Sequence, residues 1–238
     1  MTHPALTLRH VTKRFGARTA LQNVTCEIPP GQSVVFWGPN GAGKTTALRC
    51  ILGVIPCEGD VYVLGHEVAR EGKSARRLIG YVPQELGFHG EQTVRETVAF
   101  YARLRRVPSA EAVALLQLWQ LGEVASVMVR TLSGGMKQRL ALVLALLGDP
   151  PVLLLDEPTS HLDARTRHGF VALLERLKQA GKTLVLCSHR AGEALRLADR
   201  VLALEAGRLV ADGTPEARSC KHRSPWVSSS PPSTGSGP

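Results

Sequence analysis

The 238-residue chain is expected to fold as an α/β protein. Three features of the sequence say so. A glycine-rich segment, Gly38-Pro39-Asn40-Gly41-Ala42-Gly43-Lys44-Thr45, joins an apolar strand-like run to a helical one. A second apolar run, Val152–Leu155, is continuous rather than alternating and ends in two acids, Asp156 and Glu157, the pattern of a fully buried parallel strand. Between the two lie roughly 60 residues whose apolar positions recur at helical spacing.

The elements follow in order. Ala5–His10 alternates apolar and polar residues, and Gln32–Trp37 is an apolar strand opened by Gly31. Thr45–Leu52 reads as a helix stopped at Gly53, and Asp60–Leu64 and Leu78–Val82 as two further strands. Thr93–Arg106 is a helix with Val94, Val98, Tyr101 and Leu104 on its apolar face, ended by Pro108. Ala110–Leu121 is a second helix, and Ser133 can cap a third that runs through Leu147. Thr166–Ala180 is an amphipathic helix stopped by Gly181, and Thr183–Cys187 a buried strand. Ala191–Leu197 reads as a helix and Arg200–Glu205 as a final strand.

Composition narrows the class. Hydrophobic residues at 44% and charged residues at 21% suit a soluble globular protein with a full core. The longest apolar run, Leu140–Leu147, is far short of the ~18 residues that span a bilayer. The N-terminal MTHPALTLRH lacks the apolar centre of a signal peptide, so a cytosolic location is expected. The five cysteines are scattered without a CxxC, which argues for free thiols over disulfides or structural zinc. With 29 Lys+Arg against 20 Asp+Glu the net charge is +9, which fits nucleic acid, an anionic membrane or a phosphate-rich ligand.

The glycine-rich segment has the form GxxxxGK[ST] in the context strand, loop, helix. Glycines allow the loop backbone to turn its N–H groups onto phosphate oxygens, and the helix start adds its dipole. Lys44 can reach the β- and γ-phosphates, and the Thr45 hydroxyl can ligate Mg²⁺. Asp156 is suited to hold that metal through water, and Glu157 can polarise an attacking water. Read alone, these acids are also consistent with a solvated strand end.

Leu132-Ser133-Gly134-Gly135-Met136 lies between these two motifs and differs from LSGGQ only in its last residue. With it the chain resembles the ABC ATPases, the nucleotide-binding domains of ABC transporters, from about Leu6 to about Pro215. The resemblance implies a P-loop NTPase fold: a RecA-like core with an antiparallel β lobe and an inserted α-helical signature subdomain. It implies a single domain over 1–216, with core 1–84 and 149–216 and a helical subdomain at about 85–148. The tail 217–238 is rich in Ser, Pro and Gly, lacks acids and is expected to be disordered.

The resemblance also assigns roles. Gly38, Pro39, Asn40, Gly41, Ala42, Gly43, Lys44, Thr45 and Thr46 would hold the phosphates of ATP, and Phe15 would stack on adenine where the family usually has Tyr. Thr45, Asp156 and Gln84 would serve Mg²⁺, with Gln84 linking the helical lobe to the core. Glu157 would be the general base, aided by His189, Lys44 and Gln84. Ser133, Gly134 and Gly135 would bind the γ-phosphate of ATP held by a second subunit. Ser160-His161-Leu162-Asp163 matches the family's D-loop, with His161 where a small residue is usual.

The implied function is the ATP-hydrolysing subunit of an ABC transporter, dimerising around two ATP to drive a separate membrane permease. The short helical lobe favours an exporter-type system, with the chain peripheral on the inner face of the cell membrane. Two other classes fit the same motifs: a soluble ABC ATPase of an iron–sulfur-type cofactor-assembly complex, and, less well, a nucleic-acid-acting ABC ATPase. In this frame the positive charge suits nucleotide and an anionic membrane leaflet better than nucleic acid.

Overall fold

A computed structural model describes residues 3–190, 192 and 196–215. The fold is α/β and contains two sheets. The first is antiparallel, ordered β2-β1-β4-β5, from β1 (Leu6–Phe15), β2 (Arg18–Ile28), β4 (Glu58–Val63) and β5 (His66–Glu67). The second has six strands, ordered β10-β9-β3-β8-β7-β6. Its members are β3 (Ser33–Trp37), β6 (Ile79–Val82), β7 (Val152–Asp156), β8 (Thr183–Ser188), β9 (Arg200–Glu205) and β10 (Arg208–Gly213). Five of these run parallel and β10 is antiparallel at the edge.

Apolar burial explains the layering. One cluster joins the inner faces of the later helices to one face of the large sheet, through Leu140, Leu153, Leu155, Phe170 and Leu184. The other fills the space between the two sheets, through Leu6, Ile28, Phe36, Ile51, Leu154 and Leu202. β7 is buried along its whole length, as its unbroken apolar sequence demands. Among the described residues six α-helices are complete: α1 (Lys44–Ile51), α2 (Val68–Arg77), α3 (Val94–Arg105), α4 (Ser109–Leu118), α5 (Gly134–Leu146) and α6 (Ala164–Gln179). None of the helices among the described residues is long and apolar enough to cross a membrane.

Several elements depart from the reading of the sequence. β2, α2 and β10 are additional to the elements expected from the sequence; β2 alternates only in its second half, at Val24, Cys26 and Ile28, and α2 buries only Val68 and Ala75. On α3, Val94 and Val98 are buried as expected, but Tyr101 is 37% and Leu104 65% exposed, while Thr97 and Ala102 are buried instead. The buried stripe is thus rotated by one position. The Thr93 capping box with Glu96 and the bond from Thr97 Oγ1 to Thr93 O (3.0 Å) fix that rotation at the helix start. α4 ends at Leu118, before the expected Leu121, because Gln120 adopts φ 58. The helix expected over Ala191–Leu197 lies largely outside the described residues, as does the tail.

α3 closes on Arg106, a left-handed residue at φ 60. Glycine adopts that conformation freely, whereas any side chain there costs roughly 1–2 kcal/mol. Close approach decides another position. A Cβ on Gly80 of β6 would collide with the backbone carbonyl of Ala145 in α5 and lie 2.5 Å from Leu153 Cδ2. Gly80→Ala is therefore expected to destabilise the fold by about 1–3 kcal/mol. Its melting temperature, compared with wild type, checks this.

Among the described residues the four cysteines are free, with Cys26, Cys50 and Cys187 buried and Cys57 half-buried. Cys50, in the last turn of α1, and Cys57 share a side-chain hydrogen bond. That bond favours the Cys57 thiolate and holds it at about 7, against the opposing effect of burial. The same bond and burial push Cys50 up. Iodoacetamide should therefore modify Cys57 before Cys26 or Cys187, at a rate that rises through about pH 7. Peptide mapping after timed labelling measures the order.

Candidate functional site

The site forms where the parallel strands end. β3 and β8 pair with Trp37 opposite Ser188, β7 and β8 with Asp156 opposite Cys187, and β6 and β7 with Val82 opposite Leu155. The residues that follow these ends, 38–45, 84, 157 and 189, are therefore delivered to one edge of the sheet, where ligands of open α/β sheets bind.

The loop after β3 is built on backbone. Ala42 N donates to Pro39 O (3.2 Å), and Gly207 N to Ala42 O (3.0 Å), which ties the loop to the β9–β10 turn. Gly43, at φ 107, is the N-cap of α1. A Cβ there would sit 2.6 Å from Ala20 O and 2.9 Å from Leu21 Cδ2, so only glycine fits. Because Gly43 has no side chain, no side-chain cap occupies the first-turn N–H groups of α1, and no acid stands there. The helix start remains a site for an anion.

Lys44 is buried and donates to Gly38 O (2.7 Å) and Pro39 O (3.1 Å), with Glu157 Oε1 3.6 Å away. The Thr45 hydroxyl donates to Asp156 Oδ1 (3.0 Å). Burial raises the Asp156 pKa and the neighbouring Glu157 charge adds to it, while the Thr45 hydroxyl, Arg49 and Lys44 oppose. A hydroxyl and a hard carboxylate held this close, in a poorly solvated position that favours a cation partner, fit the preferences of Mg²⁺.

Glu157 adopts φ 46 directly after β7, and its N–H donates to Cys187 O (3.0 Å) on β8. This left-handed turn directs its carboxylate back across the strand ends. Glu157 Oε2 lies 3.0 Å from His189 Nδ1. One carboxylate therefore contacts both the loop lysine and the histidine after β8.

A cavity of about 480 Å³ opens over these groups. Asn40, Gly41, Gly43, Lys44, Thr45 and Thr46 line its floor, and Gln84 and Glu157 one wall. Phe15, half exposed, forms the rim, with Lys13 Nζ 4.9 Å from its ring centroid. Arg18 also lines the cavity and was not among the expected residues. It pairs directly opposite Phe15 across the β1–β2 hairpin. Its signal was a cation three residues after the aromatic, unreadable until the intervening turn was known.

Ser133, Gly134 and Gly135 do not line this cavity. Ser133 caps α5, its Oγ accepting from Met136 N (3.3 Å). Gly134 faces open space, whereas a Cβ on Gly135 would collide with Thr166 Cγ2 of α6. The second glycine thus also serves helix packing. Ser160 Oγ and His161 Nδ1 lie 3.0 Å apart on the surface, and Asp163 caps α6.

Comparisons with known proteins agree with this arrangement. Residues 21–160 match the sequence family described as ABC transporter. The chain is 38% identical over 222 residues to the Nod factor export ATP-binding protein I of Paraburkholderia xenovorans, covering 91% of this chain and 73% of that protein. It is 41% identical over 216 residues to the protein of the same name from Rhizobium meliloti, covering 89% of this chain and 64% of that one. The chain thus spans just under two thirds of the length of the Rhizobium relative. Among solved structures, an ATP-binding cassette in a dimeric post-hydrolysis state bound to ADP and Pi superposes with a TM-score of 0.80. It is 30% identical, and the match covers 88% of this chain and 98% of that one. The family match over residues 21–160, the identity to these ATP-binding proteins and the superposition on an ATP-binding cassette holding ADP and Pi together make the chain an ATP-binding, ATP-hydrolysing member of the ABC transporter family.

Proposed function

We propose that this chain powers an export system as one of two ATPase subunits that close around two ATP molecules and act on a separate membrane permease. The observation that carries the reading is the convergence of Lys44, Asp156, Glu157 and His189 at one sheet edge beside Thr45. The names of the relatives support export.

The chemistry follows from the positions. The 38–46 loop and the start of α1 bind the phosphates, Phe15 offers a ring face to the base, and Lys44 exchanges its carbonyl partners for β- and γ-phosphate oxygens. Thr45, Asp156 and Gln84 would hold Mg²⁺, which when bound neutralises charge on the phosphates. Glu157 takes a proton from the attacking water while its oxygen bonds to the γ-phosphorus. The bond to the β-phosphate oxygen then breaks and ADP leaves. His189 holds the Glu157 carboxylate in place and stands ready to contact the γ-phosphate.

The helical subdomain, about 85–148, presents Ser133, Gly134 and Gly135 to the γ-phosphate of the partner's ATP, so ATP favours the closed pair and hydrolysis releases it. The core then comprises 1–84 and 149–216, and the chain works at the inner face of the membrane. Sedimentation of the Glu157→Gln chain tests this. A dimer that forms with Mg²⁺-ATP, not with ADP, and is lost on adding Ser133→Arg supports the reading. A monomer under every condition overturns it. Recovery of the tagged chain with an integral membrane protein tests the permease.

A further inference from the structure

The fold brings together two basic stretches that lie far apart in sequence. Lys73, Arg76 and Arg77 come from the end of α2, and Arg105 and Arg106 from the end of α3. Together with Leu104 and Gly148 they line a cavity of about 540 Å³. We propose that this cavity is a second anion site, built to take a ligand carrying several phosphate groups.

Three observations support the assignment. First, the charges are uncompensated. Lys73, Arg76, Arg77 and Arg106 make no side-chain hydrogen bond or ion pair among the described residues. The acids of α2 and its approach are engaged elsewhere, Glu71 with His66 and Glu67 with Arg70. The Glu111 carboxylate near the rim accepts from Gly148 N (3.3 Å) and is not part of the lining. Three helix C-termini, those of α2, α3 and α5, meet here and favour cations, but each carries only about half a negative charge, well short of five side chains.

Second, the cavity is anchored. The Arg105 guanidinium donates to Ile79 O (3.0 Å) and Leu147 O (3.1 Å), which pins the end of α3 to the start of β6 and the end of α5. The other cations are thus arrayed around a fixed point.

Third, Arg106 occupies a left-handed position that glycine would take without strain. The retained side chain adds a cation to the cavity and makes no side-chain hydrogen bond or ion pair among the described residues.

The site is separate from that for ATP. Ile79 and Val152 begin β6 and β7, whereas Gln84 and Asp156 follow or close their other ends. At about 3.3 Å per residue the two sites stand roughly 15 Å apart along the strands. A soluble polyphosphate and an anionic lipid headgroup present the same clustered phosphate oxygens, and exposed Leu104 beside the cations suits the second source.

The experiment uses the full chain saturated with Mg²⁺-ADP, so that the first site is filled. Tripolyphosphate is titrated in one arm, by calorimetry. In the other, vesicles of phosphatidylcholine with and without phosphatidylglycerol are floated with the protein. Wild type should bind one tripolyphosphate, or the anionic vesicles alone, more weakly as salt rises. Lys73→Gln/Arg76→Gln/Arg77→Gln should weaken binding by about tenfold or more. Arg106→Gly should also weaken it while raising the melting temperature, an outcome that damage to the fold would not give. Binding of tripolyphosphate identifies a soluble ligand, and binding confined to vesicles identifies headgroups. Wild-type binding by both variants, or none by wild type in either arm, overturns the site.

Discussion

Glu157→Gln is expected to lower ATP turnover by about 10²–10⁴-fold while nucleotide still binds. The glutamine keeps the volume and hydrogen-bonding reach of a side chain held between Lys44 Nζ at 3.6 Å and His189 Nδ1 at 3.0 Å. It loses the ability to take up a proton. It also removes a negative charge that stands beside Lys44 and opposes the approach of phosphate, so ATP should bind at least as tightly as to wild type. Steady-state turnover and a nucleotide-binding titration separate the two effects. Wild-type turnover in the variant would remove Glu157 from its role as base.

Lys44→Met should cut kcat/KM by about 10²–10³-fold. Methionine matches the aliphatic stem of a side chain that is almost wholly buried, so packing is largely kept while the cation is lost. Lys44 also helps to lower the Asp156 pKa, so its removal raises that pKa further and weakens the metal position. Kinetics over a range of Mg²⁺ concentrations should show a higher Mg²⁺ requirement as well as the lower ceiling. A melting temperature near that of wild type would show that the loss is chemical. An unchanged kcat/KM would sink the assignment.

The parts of this site that could be read in sequence are those in which chemistry and local geometry coincide. The 38–45 loop needs its glycines, and β7 needs an unbroken apolar run before its acids, so both carry their structure openly. β2 does not. Its partner β1 shifts register between Leu8 and Val11 and again before Arg14, which confines the apolar alternation of β2 to Val24, Cys26 and Ile28. α2 buries only Val68 and Ala75 and is interrupted at Glu71, leaving almost no periodic signal. Gln84 and His189 are single residues after strands and take meaning only from the parallel register that carries them to Lys44 and Glu157. Arg18 depended on the hairpin. The basic runs Lys73–Arg77 and Arg103–Arg106 lie nearly 30 residues apart in sequence, and only the fold brings their ends to one cavity.

β7 has a further consequence. Its side chains alternate between the two apolar clusters, Val152 and Leu154 in one, Leu153 and Leu155 in the other. Neither half of the molecule can melt alone without stripping one face of this strand. Its backbone amides should therefore exchange with solvent only through global unfolding, the slowest class in the protein. The acids at its tip are thereby tied to the cooperative unit of the whole fold. Quality control that senses local fraying would find this machinery intact until the entire chain gives way.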